Sequence, residues 1–348
     1  MAFDPLNYIG SNETVHNFVH AISRNTEDDR LEIWDKHARF NRENVKRCGW
    51  SCTEEFEKGQ GKAAVIIGAS PALSKQLDQL RELQHDRDFV LIGISAGIRY
   101  LLQNGIKPEY TFIADSSDKM LKWFEGIDDT AGMTLCADIT ANPAAVKMWE
   151  DKGGTVKYHA VYSAIKSLDK KIAKWYRPLN GTGDFLPSLS SQYNSAVAFA
   201  FQVLCSQVLI FVGNELSFPS GDGNKDRYYV DRTDEKDHWI RRPHIDIYGN
   251  TVYTTFMFYQ MKLVLEDYLG MISGAGFFLN ATEAGIFGAT KDGPVPWIRQ
   301  FTLPMALAQS RHILRTGHPI ANRRLIYEPD NDLIAVPSAA PFILTKGV

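Results

Sequence analysis

The residues best suited to chemistry in this chain stand directly after apolar runs. Ala63-Ala64-Val65-Ile66-Ile67 is followed by Gly68-Ala69-Ser70-Pro71. The run has the length and branching of a strand buried on both faces. A glycine turn, then Ser at a helix cap and Pro at the first helical position, aims backbone N–H groups at an anion above the strand's end. The plainer alternative is that these residues only turn the chain and start a helix. The pattern recurs: residues 89–94 lead to Ser95, residues 110–114 to Asp115-Ser116-Ser117-Asp118, and residues 208–212 to Gly213-Asn214-Glu215-Leu216-Ser217-Phe218. In an alternating β/α chain, a carboxylate past a buried strand lies where ligands bind. For Asp115 the competing role is a helix cap for the segment starting at Lys119.

Further along, Ser190-Ser191-Gln192-Tyr193-Asn194-Ser195 leads an apolar helix over 196–204. Its hydroxyl-rich start, with Ser191, Asn194 and Ser195, is a second candidate anion site. Residues 220–242 are rich in Gly, Asp and Arg and carry Tyr228, Tyr229, His238, Trp239, Arg241 and Arg242, with His244 just beyond. That stretch is too polar for a core, and its length suggests a lid or substrate loop. Asn180-Gly181-Thr182-Gly183-Asp184 reads as another loop.

Positioning these residues requires strands alternating with helices. Strands are expected over 63–67, 89–94, 110–114, 133–137, 155–159 and 208–212, with helices over 95–104, 143–151 and 255–269. Gly105 caps the first of these helices and Asp246 to Thr251 makes a turn. Residues 1–60 read as a polar helical extension in two pieces, 12–22 and 31–45, broken at Asn25-Thr26-Glu27-Asp28-Asp29, with Trp34 and Phe40 as packing anchors. Residues 61–290 form the main domain, and 291–348 a helical segment and tail. The class is α/β, a mostly parallel sheet with helices on both faces.

Composition bounds the rest. The chain has 348 residues, 44% hydrophobic and 23% charged, with a formal net charge of -3. That balance gives no indication of general nucleic-acid binding. No apolar run is long enough for a transmembrane helix, and the first residues lack the basic start and apolar core of a secretory signal. Cys48, Cys52, Cys136 and Cys205 are scattered, without zinc spacing, so a reducing cytoplasm is the expected compartment.

Three stretches, IIGASPAL at 66–73, IGISAGIRYLLQNGIKPEYTFIADSSD at 92–118 and FVGNELSF at 211–218, together resemble the motility accessory factor proteins and the related archaeal 6-hydroxymethylpterin diphosphokinase-like proteins. GNTVYT at 249–254 and LNATEAG at 279–285 follow in the same order. The resemblance implies a Rossmann-like nucleotide-binding domain. One branch is linked to transfer of sialic-like sugars onto protein hydroxyls, the other to transfer of diphosphate from ATP with Mg²⁺. The domain is also similar to bacterial sialyltransferases that use CMP-sugars. Against their Gly-Asn-Gly-Pro-Ser turn, Gly68 and Pro71 match, while Ala69, Ser70 and Ala72 replace the other residues. Ser191 to Ser195 matches their later helix start, and Gly213-Asn214-Glu215-Leu216 matches the family's Gly-Gln-Asp-Leu. The resemblance puts the base in the region of His238 or His244.

Sugar transfer from a nucleotide donor needs an anion cradle, a base for the acceptor hydroxyl, and groups that stabilise the departing phosphate. The cradle falls to Gly68–Ser70 and Ser191–Ser195. The base falls to His238 or His244, which spacing does not separate, and the leaving phosphate to Tyr228, Tyr229, Arg241 and Arg242. No cofactor beyond the nucleotide-sugar donor is required. A diphosphokinase instead needs carboxylates around Mg²⁺, for which Asp115, Asp118, Glu215 and Asp138 are available. The chain has no GxxxxGK[ST] loop. A third possibility is a nucleotide- or glycan-binding protein without catalysis, which the altered first turn favours. Transferase chemistry on a sugar ranks first.

Overall fold

The computed structural model describes residues 13–162, 185–187, 191–222, 241–290, 293–318, 324–328 and 331–336. The first helix, α1 (Glu13–Cys48), runs unbroken through Asn25 to Asp29, where the sequence led us to expect an interruption. Asn, Thr and Asp are weak helix formers, but none of the five residues is Gly or Pro. Packing of the helix's later half outweighs their small propensity cost. Gly49, at φ +81°, ends the helix, and α2 (Ser51–Glu54) follows.

β1 (Ala63–Ile67) is buried at every position, as its apolar run requires. It does not lead into one helix. Ser70 and Pro71 do start a helical turn, but it is a 3₁₀ turn, Pro71–Lys75, and α3 (Leu77–Leu83) begins only after Gln76. β2 (Phe89–Ile94) and α4 (Ser95–Gln103) come next, with Gly105 at φ +73° closing the helix as expected. β3 (Tyr110–Ile113), α5 (Leu121–Phe124), β4 (Thr134–Asp138), α6 (Pro143–Glu150) and β5 (Thr155–Tyr162) continue the alternation. After β6 (Phe185–Pro187), α7 (Gln192–Ala198) passes into a π-helical turn, Phe199–Val203, and then β7 (Val208–Val212). The rest comprises β8 (Arg241–Ile245), β9 (Thr251–Thr255), α8 (Phe256–Met271), β10 (Phe277–Asn280), β11 (Ala289–Thr290), β12 (Gly293–Pro294), β13 (Ile298–Gln300), α9 (Leu303–Thr316), β14 (Arg324–Glu328) and β15 (Asn331–Val336).

Contacts divide the chain into two compact units, Met1–Lys58 with Leu91–Cys205, and Gly59–Val90 with Ser206–Val348. The division differs from the three consecutive segments read from the sequence.

In the first unit, β2, β3, β4, β5 and β6 lie side by side in that order, all parallel. Ile113, Leu135, Ala137, Val156 and Tyr158 share one core with Trp149 of α6, Ala38 and Val45 of α1, and Phe124 of α5. Tyr110 and Phe112, one residue out of step with Ile113, meet Phe199 edge-on at 5.3 and 5.1 Å. Helices thus cover both faces of these strands. Trp34 packs against the core as expected, but Phe40 is 60% exposed, because it falls off the helix face that carries Trp34, Ala38, Asn41 and Val45.

In the second unit the order is β13, β10, β7, β1, again parallel. β8 and β9 form an antiparallel hairpin around the Asp246 turn, in which Asp246 Oδ1 accepts from Tyr248 N at 2.9 Å and Asn250 N at 2.7 Å. The tail expected from the sequence contains another hairpin, β14–β15. The architecture is α/β and Rossmann-like. No helix among the described residues is long and apolar enough to cross a membrane.

Candidate functional site

At the carboxyl ends of the first unit's strands, each carboxylate is fixed by a short network. Asp115 Oδ1 accepts from Ser117 N at 2.8 Å and from Arg30 Nη1 at 3.0 Å. The cap of the following 3₁₀ turn is Ser117, whose hydroxyl accepts from Lys119 N, so Asp115 is not the cap. Asp118 Oδ1 accepts from Asn142 Nδ2 at 2.9 Å, and Asn142 Oδ1 caps α6 through Ala144 N. Asp138 Oδ1 accepts from the backbone N and the hydroxyl of Thr140. Among the described residues, no group of three or more His, Cys, Asp or Glu side chains gathers as a metal site requires.

α1 is fastened along these loops. Asn41 Nδ2 donates to Ile139 O and Ala141 O, both at 2.9 Å, and His37 Nδ1 lies 3.3 Å from Thr140 O. Burial holds the His37 pKa below the ordinary imidazole value, against the Thr140 carbonyl, which raises it. The second candidate cradle is satisfied largely from within. Ser191 Oγ accepts from Asn194 N at 3.1 Å, Ser195 Oγ donates to Ser191 O, and Ser95 Oγ donates to Gln192 Oε1 at 2.7 Å. His159, on β5, is fully buried with neither ring nitrogen partnered among the described residues, and burial drives its pKa down to about 3.

In the second unit the glycine turn after β1 is pinned to the loop after β7. Gly68 N donates to Val212 O at 2.8 Å and Ser70 N to Gly213 O at 3.1 Å. Gly213 has φ +63°, and a Cβ there would meet the Gly68 backbone at 3.4 Å. The anion at this turn is the protein's own. Ala72 N donates to Glu215 Oε1 at 2.5 Å. Burial pushes the Glu215 pKa up, while Ala72 N–H, the Ser70 hydroxyl and Lys75 pull it back. The N–H group that the sequence reading aimed at a ligand is thus already taken.

Around this carboxylate the backbone is held in unusual conformations. Leu216 and Glu283 adopt φ +53° and +60°, values uncommon for residues with a side chain. Gly285 stands where a Cβ would come within 2.0 Å of Glu215 O. Asn214 N donates to Thr282 Oγ1 at 3.2 Å, and Asn214 Nδ2, though buried, has no partner among the described residues. Glu283 Oε1 accepts from Gln76 Nε2 and from Leu303 N, both at 3.0 Å, and so caps α9.

The structure brings Gly68, Ala69, Ser70, Pro71, Gly213, Asn214 and Glu215 together, and Asp115 with Asp118 through Asn142. His244 sits on β8 with Nδ1 2.7 Å from Ile245 O and its ring 5.5 Å from that of Tyr259. Burial lowers its pKa. Arg241 is buried, its guanidinium 3.6 Å above the Phe218 ring and Nη1 donating to Ser220 O at 2.7 Å, while Arg242 is exposed. Tyr228, Tyr229, His238, Trp239, Ser190 and residues 180–184 lie outside the described residues. Sequence reasoning missed Arg30, Gln76 and Thr282. Thr282 stood within the quoted LNATEAG stretch, whereas Arg30 carried no local signal.

Residues 42–221 match the family model described as 6-hydroxymethylpterin diphosphokinase MptE-like. The chain belongs to the MptE-like family. The matched span holds the glycine turn, Asp115, Ser191 and Glu215 of this MptE-like chain. A solved structure, that of a MAf glycosyltransferase from Magnetospirillum magneticum AMB-1, is similar in fold, with a TM-score of 0.51 and 14% identity. The similarity covers 78% of the MptE-like chain and 43% of that protein, less than half its length. Comparison with curated protein sequences finds no match.

Proposed function

We propose that this MptE-like chain is a transferase that moves a sugar from a nucleotide-activated donor to a hydroxyl acceptor. The observation that carries the reading is the buried Asn214 Nδ2 at the carboxyl end of β7, without a partner among the described residues and beside the pinned glycine turn. A buried donor left without a partner costs free energy that a ligand acceptor would recover. The strained Leu216 and Glu283 nearby are further marks of a site kept for function. The likeness in fold to a glycosyltransferase supports the choice of reaction.

In this reading Glu215 is the base. A buried carboxylate whose pKa is raised takes a proton from a hydroxyl more readily than an ordinary one. His244, its ring turned to its own neighbour's carbonyl, and His238 remain the alternatives. The donor is the required small molecule, and the reading needs no metal.

A second reading, Mg²⁺-dependent diphosphate transfer, is favoured by the description of the family model. One assay separates the two. The full chain is incubated with CMP-, UDP- and GDP-sugars without metal, and with ATP, Mg²⁺ and 6-hydroxymethylpterin. Release of free nucleotide from a sugar donor supports the first reading. AMP formed only when Mg²⁺ and the pterin are present replaces it with the second.

A further inference from the structure

α1 was read from the sequence as an extension, yet its inner face is built into the carboxyl edge of the first unit. Going back along the helix from Asn41, which donates to the carbonyls of Ile139 and Ala141, His37 meets Thr140 O and then Arg30 meets Asp115. Arg30, His37 and Asn41 lie seven and four residues apart, so they share one helix face. The Asn41 and His37 contacts fix the helix against the loop after β4. They thereby fix where Arg30 stands, over the end of β3.

We propose that Arg30, pinned by Asp115 at the carboxyl end of β3, receives a phosphate group of a ligand, so that α1 is part of a binding site. A guanidinium carries five N–H donors in a planar fork suited to phosphate oxygens. Here Nη1 is engaged with Asp115 Oδ1, and the Arg30 side chain is 41% exposed. Asp115 is itself oriented by Ser117 N, so the ion pair biases where the guanidinium stands before any ligand arrives. As a stabilising contact the pair contributes little, because ion pairs exposed to this degree are largely screened by solvent.

The same helix borders a second concave surface. A groove of about 550 Å³ lies further along α1, with Lys36, His37, Arg39 and Phe40 of α1 and Asn142 and Pro143 at the start of α6 as its walls; Arg30 and Asp115 are not among its lining residues. Its charged walls are cationic, although Arg39 is paired with Asp35. Phe40, 60% exposed, offers an aromatic face to the organic part of a phosphate ester. The anions nearby are Asp35, Asp115 and Asp118, the first two paired with Arg39 and Arg30 and the third accepting from Asn142 Nδ2.

The test uses the full chain and two probes, inorganic pyrophosphate and CMP, titrated by calorimetry into the wild type, Arg30→Gln and Arg30→Lys. Arg30→Gln is expected to weaken binding of at least one probe by tenfold or more, with Arg30→Lys intermediate because it keeps the charge and loses the fork. Unchanged melting temperatures would separate this loss from misfolding, and if Arg30→Gln is destabilised the Arg30→Lys comparison decides. The inference requires only that the first unit bind a phosphate, so it stands apart from the transferase reading. Pyrophosphate binding that depends on Arg30, with no response to a nucleotide, keeps the inference and removes that reading. A probe that binds wild type and Arg30→Gln equally well, or a wild type that binds neither probe, overturns the inference.

Discussion

Glu215 is the residue on which most depends. Its carboxylate occupies the N–H group that a glycine turn usually offers to a ligand, and its burial is offset only in part by Ala72, Ser70 and Lys75. Because its native pKa is raised, the native state holds its proton more tightly than the unfolded chain does. Stability from this group is therefore full below the ordinary glutamate value and is lost as pH rises through the raised native value. Glu215→Gln is expected to flatten that loss in denaturant titrations carried upward from the ordinary glutamate value. If Glu215 is the base, the same variant binds donor while kcat falls by about a hundredfold or more. Normal turnover would return the role to a histidine. His159 behaves oppositely. Its native pKa near 3 lies below the unfolded value, so its stability is present above about pH 6.5 and lost as pH falls toward 3. His159→Leu is expected to recover roughly 2 kcal/mol at about pH 5 relative to its effect at pH 8. An identical acid limb in both proteins would mean that His159 is not the group titrating. Neither effect was legible in the sequence: His159 is one residue of a strand, and its burial without a ring partner among the described residues is visible only in the fold.

At the scale of elements, the short apolar runs were read correctly because apolar residues fill them without interruption, as in Ala63–Ile67 and Val208–Val212. β10 and β13 escaped because Phe277–Asn280 and Ile298–Gln300 are brief and set among Gly and Pro, so the pairing of β10 with β7 and of β13 with β10 is visible only in the fold. The break expected in α1 was absent because local propensity there is weakly unfavourable and tertiary fastening is strong. That fastening is testable. Asn41 is fully buried and its amide holds two carbonyls of the loop after β4. Asn41→Ala should cost about 1–3 kcal/mol in urea unfolding, with the carbonyls left unsatisfied. A loss under about 0.5 kcal/mol would mean that α1 is held by its apolar contacts alone.

For the molecule as a whole, the alternation of strands and helices was enough to read an α/β fold. The division into units was not. β1 pairs with β7, Ala63 opposite Val208, across a long stretch of chain that belongs to the other unit. A reading in sequence order has no access to that pairing. The same reason separates the glycine turn from Glu215 and Thr282, which are distant in sequence and joined in one network. That network motivates the central claim, that the chain binds a nucleotide-activated donor. The most direct test is a thermal-shift panel on the full chain with CMP, CDP, UDP, GDP, ADP and ATP at millimolar concentration, each with and without Mg²⁺. The account expects a cytidine, uridine or guanosine nucleotide to raise the melting temperature without metal. Stabilisation by ATP only with Mg²⁺, or no stabilisation by any of the nucleotides, would contradict it.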